Sequence, residues 1–359
     1  MEQNRIRIGI TQGDINGIGY EVILKTFEAP EMLEMCTPII YGSPKIMTYH
    51  RKALNLETSF SIINSATEAL PGRINVVNCN DDEVKVELGK ASRESGKAAF
   101  DALEKAMSEY KDNLYDVLVT APINKQMIQS EGFTFPGHTE YIEQSVGEGA
   151  KALMILTNDR LRVALVTGHI PVAKIASTIT KELIEEKLQL FDTSLKADFG
   201  INGPRIAVLS LNPHAGDGGV IGNEEETIIA PAIKAMREQG VLCYGPYPSD
   251  GFFGNGTFSR FDGVLAMYHD QGLTPFKVLA MDEGVNFTAG LPLVRTSPDH
   301  GTAFDIAGKG EASENSFRQA IYMAIDVFRN RKSYAEATHN PLRKLYFETR
   351  DDSDRLKLD

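Results

Sequence analysis

Short runs of apolar residues alternate along the chain with longer stretches in which apolar residues recur at helical spacing. The apolar runs with the length of buried strands include RIRIGI, TPIIYG, RINVVN and YDVLVTAP. In SGKAAFDALEKAMSEY the residues Ala99, Leu103 and Met107 lie at helical spacing, which predicts a helix. Further helices are predicted for GYEVILKTF, KELIEEKLQLFDTSLKADF, EEETIIAPAIKAMREQG and SFRQAIYMAIDVFRNRK. This alternation predicts an α/β fold with a mostly parallel sheet covered by helices.

Three other strand-like runs each lead to one histidine. His169, His214 and His269 follow the apolar parts of VALVTGH, IAVLSLNPH and LAMYHDQG. In open α/β sheets, ligands bind outside the carboxyl ends of the strands. Three neutral imidazoles at such an edge suit a divalent transition metal, so we predict a shared metal site; the alternative is three unrelated histidines. Two further histidines, His50 and His339, lie in polar helical contexts and are predicted to be surface residues.

Polar residues that suit an anionic ligand lie in other motifs. Lys277, Asn286 and Arg295 follow His269 and could bind a phosphate or carboxylate, or could simply be solvated. The turn TQGDINGIG lacks the G-x-G-x-x-G spacing, which argues against a Rossmann dinucleotide site. The glycine-rich stretch HAGDGGVIGNEE could bind an anion through its backbone or could only shape the loop around His214.

The composition narrows the class of protein. A length of 359 residues favours two domains, and 42% hydrophobic with 24% charged residues is typical of a globular protein. The net charge of −12 argues against nucleic acid or an anionic membrane as a general partner. No stretch approaches the roughly 18 apolar residues of a membrane span. Three widely separated cysteines without metal spacing predict reduced thiols and a cytoplasmic location.

Taken together, the motifs resemble those of the 4-hydroxythreonine-4-phosphate dehydrogenase family. The matching stretches are TQGDINGIG, TAPINK, FPGHTEY, VTGHIPV, LNPHAGDGG, MYHDQGLTPFK, GVNFTAGLPLVRTS and DHGTAFDIAG. They extend from residue 11 to about residue 310, nearly the whole chain. One departure is Tyr20, where the family usually has proline after G-I-G. A second is the charged tail beyond about residue 330, which is longer than usual.

The resemblance implies a two-domain α/β/α fold like that of the isocitrate and isopropylmalate dehydrogenases, without the Rossmann glycine fingerprint. The first domain is predicted to comprise residues 1–125 and 285–345, the second residues 126–284, and a polar tail residues 346–359. The family is homodimeric, with the active site at the subunit interface and a metal held by three histidines from both subunits. Carried over to this chain, the metal ligands are His169, His214 and His269, and the substrate contacts are His138, Thr139, Lys277, Asn286 and Arg295.

The family reaction that the resemblance implies is the oxidation of 4-phosphooxy-L-threonine at its 3-hydroxyl, with NAD, or alternatively NADP, as hydride acceptor. The β-keto acid then loses carbon dioxide, which gives 3-amino-2-oxopropyl phosphate on the route to pyridoxal 5'-phosphate. A divalent cation, whether zinc, magnesium, cobalt or manganese, favours deprotonation of the hydroxyl. Three residues are candidates for the general base because they are polar and lie within motifs: Lys125, Asp250 and Asp270.

Three alternatives stay open at this point. The first is a dehydrogenase of D-threonate or D-erythronate 4-phosphate, which would use the same metal, phosphate site and cofactor. The second is a non-redox metal-dependent lyase of phosphorylated sugars, since three histidines and a phosphate site would serve it equally well. The third is a non-catalytic metabolite-binding protein. Reduction of NAD with a panel of phosphorylated substrates would separate these possibilities.

Overall fold

Twelve strands in the described part of the chain lie in one sheet. The computed structural model describes residues 5–79, 84–129, 133–135, 137–147, 149, 151–280 and 282–341. The strands are β1 (Ile6–Thr11), β2 (Cys36–Gly42), β3 (Phe60–Ile63), β4 (Ile74–Asn78), β5 (Val117–Thr120), β6 (Leu153–Thr157), β7 (Arg162–Leu165), β8 (Arg205–Leu209), β9 (Leu242–Tyr247), β10 (Gly263–Ala266), β11 (Val285–Ala289) and β12 (Val294–Pro298). Their order across the sheet is β3-β4-β2-β1-β5-β12-β11-β6-β7-β10-β8-β9.

Helices connect most of these strands, as the apolar pattern predicts. They are α1 (Gly19–Thr26), α2 (Pro30–Met35), α3 (Pro44–Ala53), α4 (Arg93–Lys111), α5 (His138–Val146), α6 (Ile175–Thr178), α7 (Lys181–Ala197), α8 (Ala230–Glu238), α9 (Ser249–Gly254), α10 (His269–Leu279) and α11 (Asn315–His339). The helix predicted for EEETIIAPAIKAMREQG begins as a π-helical turn, Glu225–Ile229, directly before α8. Pro231 follows this turn, and its missing N–H cannot continue a regular α-helical ladder there.

The direction of the strands changes in the middle of the sheet. The strands from β3 to β12 in the sheet order are parallel to one another, and so are β7, β10, β8 and β9. Between them, the pairings β12–β11, β11–β6 and β6–β7 are antiparallel. Three reversals make the two parallel groups run in opposite directions. The predicted mostly parallel sheet is therefore confirmed, but its two groups of carboxyl ends lie at opposite edges.

Helices cover both faces of the sheet, which confirms the predicted α/β class. In β5, Val117 and Val119 pack into one apolar cluster together with Ile321 of α11. Leu118, on the opposite face of the same strand, packs into a second cluster with Leu103 of α4. This alternation is the two-residue period of a strand that is buried on both sides.

The prediction that His50 is a surface residue is wrong. Its side chain is 1% exposed, because α3 packs against α1 and buries the polar-looking helix face. His50 Nε2 lies 2.8 Å from the carbonyl oxygen of Ile15, and its ring lies 5.2 Å from that of Tyr20. The Tyr20 hydroxyl donates to Gln12 Oε1 at 2.5 Å and accepts from the Ser43 amide at 2.9 Å. Tyr20, which departs from the family pattern, is thus buried in the core with hydrogen-bonding partners for its hydroxyl group.

His339 is exposed near the end of α11, as predicted. The boundaries of two domains near residues 125 and 284 stay a prediction, and the tail 346–359 lies outside the described residues. Among the helices that the structure describes, none is both long enough and apolar enough to cross a lipid bilayer.

Candidate active site

The strands that lead to the three candidate metal ligands are neighbours in the sheet. Strand β10 lies between β7 and β8 and is parallel to both, so their carboxyl ends are adjacent. His169 and His269 lie side by side at this edge, with 5.6 Å between their ring centres. His214 lies in the loop after β8 and is exposed. The structure thus brings two of the three histidines together within one chain.

His169 and His269 fit a shared metal ion. Two imidazoles that bind one ion at about 2 Å from each nitrogen have ring centres about 5 Å apart. His269 Nδ1 lies 2.7 Å from Asp270 Oδ1, which leaves Nε2 as the coordinating atom, an arrangement common among metal-binding histidines. Partial burial, and then the charges of Lys125 and His269, lower the pKa of His169, which favours the neutral, coordinating form.

The residues that the structure describes do not supply a complete set of metal ligands. Within the described residues, no group of three His, Cys, Asp or Glu side chains is arranged to hold a metal ion. The pair formed by His169 and His269 therefore needs a further ligand from elsewhere. A second chain is one source, as the resemblance implies.

Two residues without a predicted role form hydrogen bonds between the ends of these three strands. Thr167 Oγ1 donates to the carbonyl oxygen of Met267 at 2.7 Å. The buried Gln271 side chain accepts from the Met267 amide at 2.8 Å and donates to the carbonyl oxygen of Ser210 at 2.6 Å. The segments that carry the three histidines are thereby linked to one another. Both residues lie inside the motifs, but no sequence pattern assigns them this contact.

A cavity of about 560 Å³ lies beside this edge, over the central strands β5, β12, β11, β6 and β7. Six of the predicted site residues line it: Lys125, His138, Thr139, His169, Asn286 and Arg295. Because the strands reverse direction at β11 and β6, the cavity crosses the sheet instead of lying at a single carboxyl edge. The chain thus brings most of the predicted substrate contacts into one space.

Arg295 is the buried cation of this cavity. Its side chain is 3% exposed, and its guanidinium donates to Thr120 Oγ1 at 2.6 and 3.1 Å and to Thr288 Oγ1 at 3.3 Å. Burial lowers the pKa of Arg295 to about 10, so the group stays charged at neutral pH. Among the described residues it forms no salt bridge. A buried charge whose described partners are two hydroxyl groups and one neutral imidazole favours an anionic ligand.

Three buried polar atoms around the cavity have no hydrogen-bonding partner in the described structure. These atoms are His138 Nε2, Asn286 Oδ1 and His300 Nε2. Arg295 Nη2 lies 3.4 Å from His138 Nδ1, and since the guanidinium can only donate, Nδ1 accepts and the proton lies on Nε2. Burial, followed by the charges of Arg295 and Lys125, holds the pKa of His138 well below its usual range. A neutral N–H donor is therefore available for a ligand.

Other predicted residues border the cavity or lie away from it. Lys277 on α10 lies 3.4 Å from the carboxylate of Asp299, a residue that lines the cavity. Asp270 is 79% exposed beside His269, and Asp250 is exposed on α9 and does not line the cavity. Asp299 and His300 had no predicted role. The polar sequence directly after β12 is the signal that could have identified them.

Known proteins resemble this chain over most of its length. The family model described as pyridoxal phosphate biosynthetic protein PdxA matches residues 34–324. A 4-hydroxythreonine-4-phosphate dehydrogenase from Bacteroides thetaiotaomicron is 69% identical, covering 100% of this chain and 99% of that protein. A D-threonate 4-phosphate dehydrogenase from Cupriavidus necator is 38% identical, covering 90% and 98%. A crystal structure of a 4-hydroxythreonine-4-phosphate dehydrogenase from Klebsiella pneumoniae has a TM-score of 0.78 at 34% identity, covering 91% and 99%.

Proposed function

This chain belongs to the pyridoxal phosphate biosynthetic protein PdxA family, and from that premise we propose that it is a 4-hydroxythreonine-4-phosphate dehydrogenase. The family predicted from the motifs is thereby confirmed, and its named relatives are dehydrogenases, which places the chain among the oxidoreductases. In the proposed reaction, the carbon that bears the 3-hydroxyl of 4-phosphooxy-L-threonine gives a hydride to NAD and the hydroxyl loses a proton. The β-keto acid then releases carbon dioxide and leaves 3-amino-2-oxopropyl phosphate.

The observation that carries this proposal is the buried Arg295 in a cavity with several unpartnered polar atoms. The substrate has two anionic groups, a phosphate and a carboxylate, and both need cationic or N–H partners. Arg295, the Nε2–H of His138 and the Lys277 ammonium at the border supply such partners. Asn286 can orient the substrate further through its unpartnered Oδ1. Fixing both anionic ends would hold the reacting carbon in one position.

A divalent cation would be held by His169 and His269 of one chain and by His214 of the partner subunit. The 5.6 Å separation of the first two rings supports this assignment. When bound, the cation would lower the pKa of the substrate hydroxyl, and NAD would accept the hydride. Lys125, which lines the cavity, and Asp270, beside His269, are the better-placed candidates for the base that removes the proton. Asp250 is exposed and does not line the cavity of its own chain, so it could act only at a site that includes a second chain.

Exposed valines in the segments that carry the three histidines support the proposed homodimer. Val172, Val220 and Val278 follow the three histidines in sequence, and they are 80%, 81% and 74% exposed. Exposed aliphatic side chains that lie close together are typical of a surface that another chain covers. We place the dimer in the cytoplasm because the three cysteines are free thiols.

A substrate panel tests the proposed function. The purified protein would be assayed for NADH formation with 4-phosphooxy-L-threonine, D-threonate 4-phosphate and D-erythronate 4-phosphate. NAD would be compared with NADP, and zinc, magnesium, manganese and cobalt with a metal-free control. We expect the highest kcat/KM with 4-phosphooxy-L-threonine and NAD, and no turnover without metal. Absence of NAD reduction with all three substrates would contradict the proposal and favour a lyase or a binding protein.

The second candidate is a dehydrogenase of D-threonate 4-phosphate. The relative from Cupriavidus necator carries that name, at 38% identity over nearly its full length. The two substrates differ in the amino group or hydroxyl next to the carboxylate, and the same cavity could bind either one. A higher kcat/KM with D-threonate 4-phosphate in the panel would select this alternative.

A further inference from the structure

One buried carboxylate accepts hydrogen bonds from the start of the loop that carries His214. Glu225 lies in the π-helical turn before α8 and is 3% exposed. Its Oε1 accepts the backbone N–H groups of Leu211 at 2.8 Å and of Asn212 at 2.7 Å. Its Oε2 accepts from Asn212 Nδ2 at 2.9 Å. Glu225 therefore fixes the two residues that come just before Pro213 and His214.

The backbone after Asn212 adopts a conformation that is unusual for residues with side chains. His214, Ala215 and Asp217 have φ values of 51°, 53° and 46°, in the left-handed region. Such conformations cost energy and persist only where the surrounding structure holds them. Gly216 between them has φ +80°, and a Cβ there would lie 2.9 Å from Glu225 Oε2. The loop thus wraps closely around the carboxylate.

Glu224 and a few backbone hydrogen bonds also hold this loop. Glu224 Oε2 accepts from Asn212 Nδ2 at 2.7 Å, and the amides of Asp217, Gly219 and Ile221 donate to the carbonyl oxygens of His214 and Gly216. His214 itself and residues 217–223 are exposed, so side-chain packing contributes little to their conformation. On the strand side, Gln271 binds the carbonyl oxygen of Ser210, and Gln271 also binds the amide of Met267 near His269. Glu225 continues this chain of contacts from Ser210 toward His214.

We propose that Glu225 is a positioning residue that directs the His214 side chain toward the metal of the neighbouring site. The proposal rests on the proposed function, in which His214 is a metal ligand. Groups that hold a metal-binding histidine in place raise metal affinity by reducing the freedom that the ligand loses on binding. Loss of the Glu225 contacts should therefore weaken metal binding through His214 alone.

The test compares Glu225→Gln with Glu226→Gln in the full-length protein. Glu226 lies on the same π-helical turn but is exposed, so its replacement removes the same charge without touching the loop contacts. Affinity for Co²⁺ would be measured by competition with a chromophoric chelator, without any substrate. We expect Glu225→Gln to weaken Co²⁺ binding about 10- to 100-fold and Glu226→Gln to bind like the unmodified protein. Equal affinities for Glu225→Gln and the unmodified protein would overturn the proposal.

A double-mutant cycle separates positioning from general loosening of the fold. In a His214→Ala background, Glu225→Gln should weaken Co²⁺ binding no further, because its effect passes through His214. Additive losses would overturn the proposal. Should Glu225→Gln fail to fold, Asn212→Ala removes the side-chain contacts with both Glu224 and Glu225, and Glu224→Gln serves as its control. Equal Co²⁺ affinities of these two variants would then overturn the proposal.

The Co²⁺ affinity of His214→Ala separates an error about Glu225 from an error about the proposed metal site. If His214→Ala itself binds Co²⁺ as tightly as the unmodified protein, the assignment of His214 as a ligand is wrong, and the inference about Glu225 falls with it. If His214→Ala loses affinity while Glu225→Gln does not, the metal site stands and only the inference is wrong.

Discussion

Arg295 donates two hydrogen bonds to a single hydroxyl group, that of Thr120, at 2.6 and 3.1 Å. The contact joins β12 to β5 and turns the guanidinium toward the cavity that both residues line. Thr120 is itself fully buried, so this orientation has little freedom to change. The Thr120 hydroxyl, which makes the shortest of the guanidinium contacts, thus contributes most to the direction in which Arg295 points.

Replacing Thr120 by valine should weaken binding of the phosphorylated substrate. The variant keeps the shape of the side chain but leaves two guanidinium N–H groups without their acceptor, at a cost of about 1–3 kcal/mol. We expect the KM for the substrate to rise roughly 5- to 150-fold, and the KM for NAD to change much less. Thr296→Val is the matched control, since its hydroxyl binds the carbonyl oxygen of Ala320 and does not contact Arg295. Equal effects of the two variants on the substrate KM would contradict the prediction.

Replacing Lys277 by glutamine should also act on the substrate. Its ammonium lies 3.4 Å from the Asp299 carboxylate at the border of the cavity, where it can reach an anionic group. We expect about a tenfold rise in the KM for the phosphorylated substrate, which corresponds to about 1.4 kcal/mol, and a smaller change in the KM for NAD. Lys332→Gln, at an exposed position of α11, controls for the loss of one positive charge. A larger effect on NAD would assign Lys277 to the cofactor instead.

Mixing inactive variants tests whether two chains share the metal site. His169 and His269 lie together in one chain, so we predict that the third ligand comes from the other. A heterodimer of His214→Ala and His169→Ala subunits would then contain one intact site and one site that lacks both ligands. Activity should return to as much as half of the wild-type value per heterodimer. The mixture of His169→Ala with His269→Ala should stay inactive, because each of its sites lacks one ligand.

Subunit exchange must first be confirmed with differently tagged chains. Recovery by the His169→Ala and His269→Ala mixture would show that these two ligands belong to different chains. No recovery by any of the three pairwise mixtures would contradict the shared site, although a metal site within one chain could survive that result.

Burial of His50 should make the fold sensitive to mild acid. Desolvation lowers the pKa of His50 in the folded state, whereas the unfolded chain titrates near 6.5. Below pH 6.5, His50 binds a proton in the unfolded state but not in the folded state. The free energy of unfolding therefore falls as the pH decreases toward the pKa of His50 in the folded state. For one group this fall is at most about 1.4 kcal/mol per pH unit.

Replacing His50 by glutamine should therefore reduce the acid sensitivity of unfolding, because glutamine can still donate to the carbonyl oxygen of Ile15 and does not titrate. The measurement is the urea midpoint between pH 7.5 and pH 5.5, with His339→Gln as the exposed control. Burial also lowers the pKa values of His138, His169 and His300, so part of the wild-type acid sensitivity should remain. Identical pH dependence in His50→Gln and the unmodified protein would exclude a contribution from His50.

The local pattern of the sequence determined the strands and helices of this protein. The run before His169 is a strand because its apolar side chains are buried on both faces, and the spacing of Ala99, Leu103 and Met107 forms the buried face of α4. Both are properties of a few neighbouring residues, so they can be derived without knowing the rest of the chain. The motifs also determined the family, because their order along the chain is itself sequence information.

The tertiary structure decided which of the motif residues meet. The sequence could not show that β10 lies between β7 and β8, so it could not pair His169 with His269 and leave His214 apart. Nor could it show that His50, on a polar-looking helix, is buried. The physical reason is that strand order, strand direction and helix packing depend on contacts between residues far apart in the chain. The local pattern sets which face of an element is apolar, but only those distant contacts decide what that face meets.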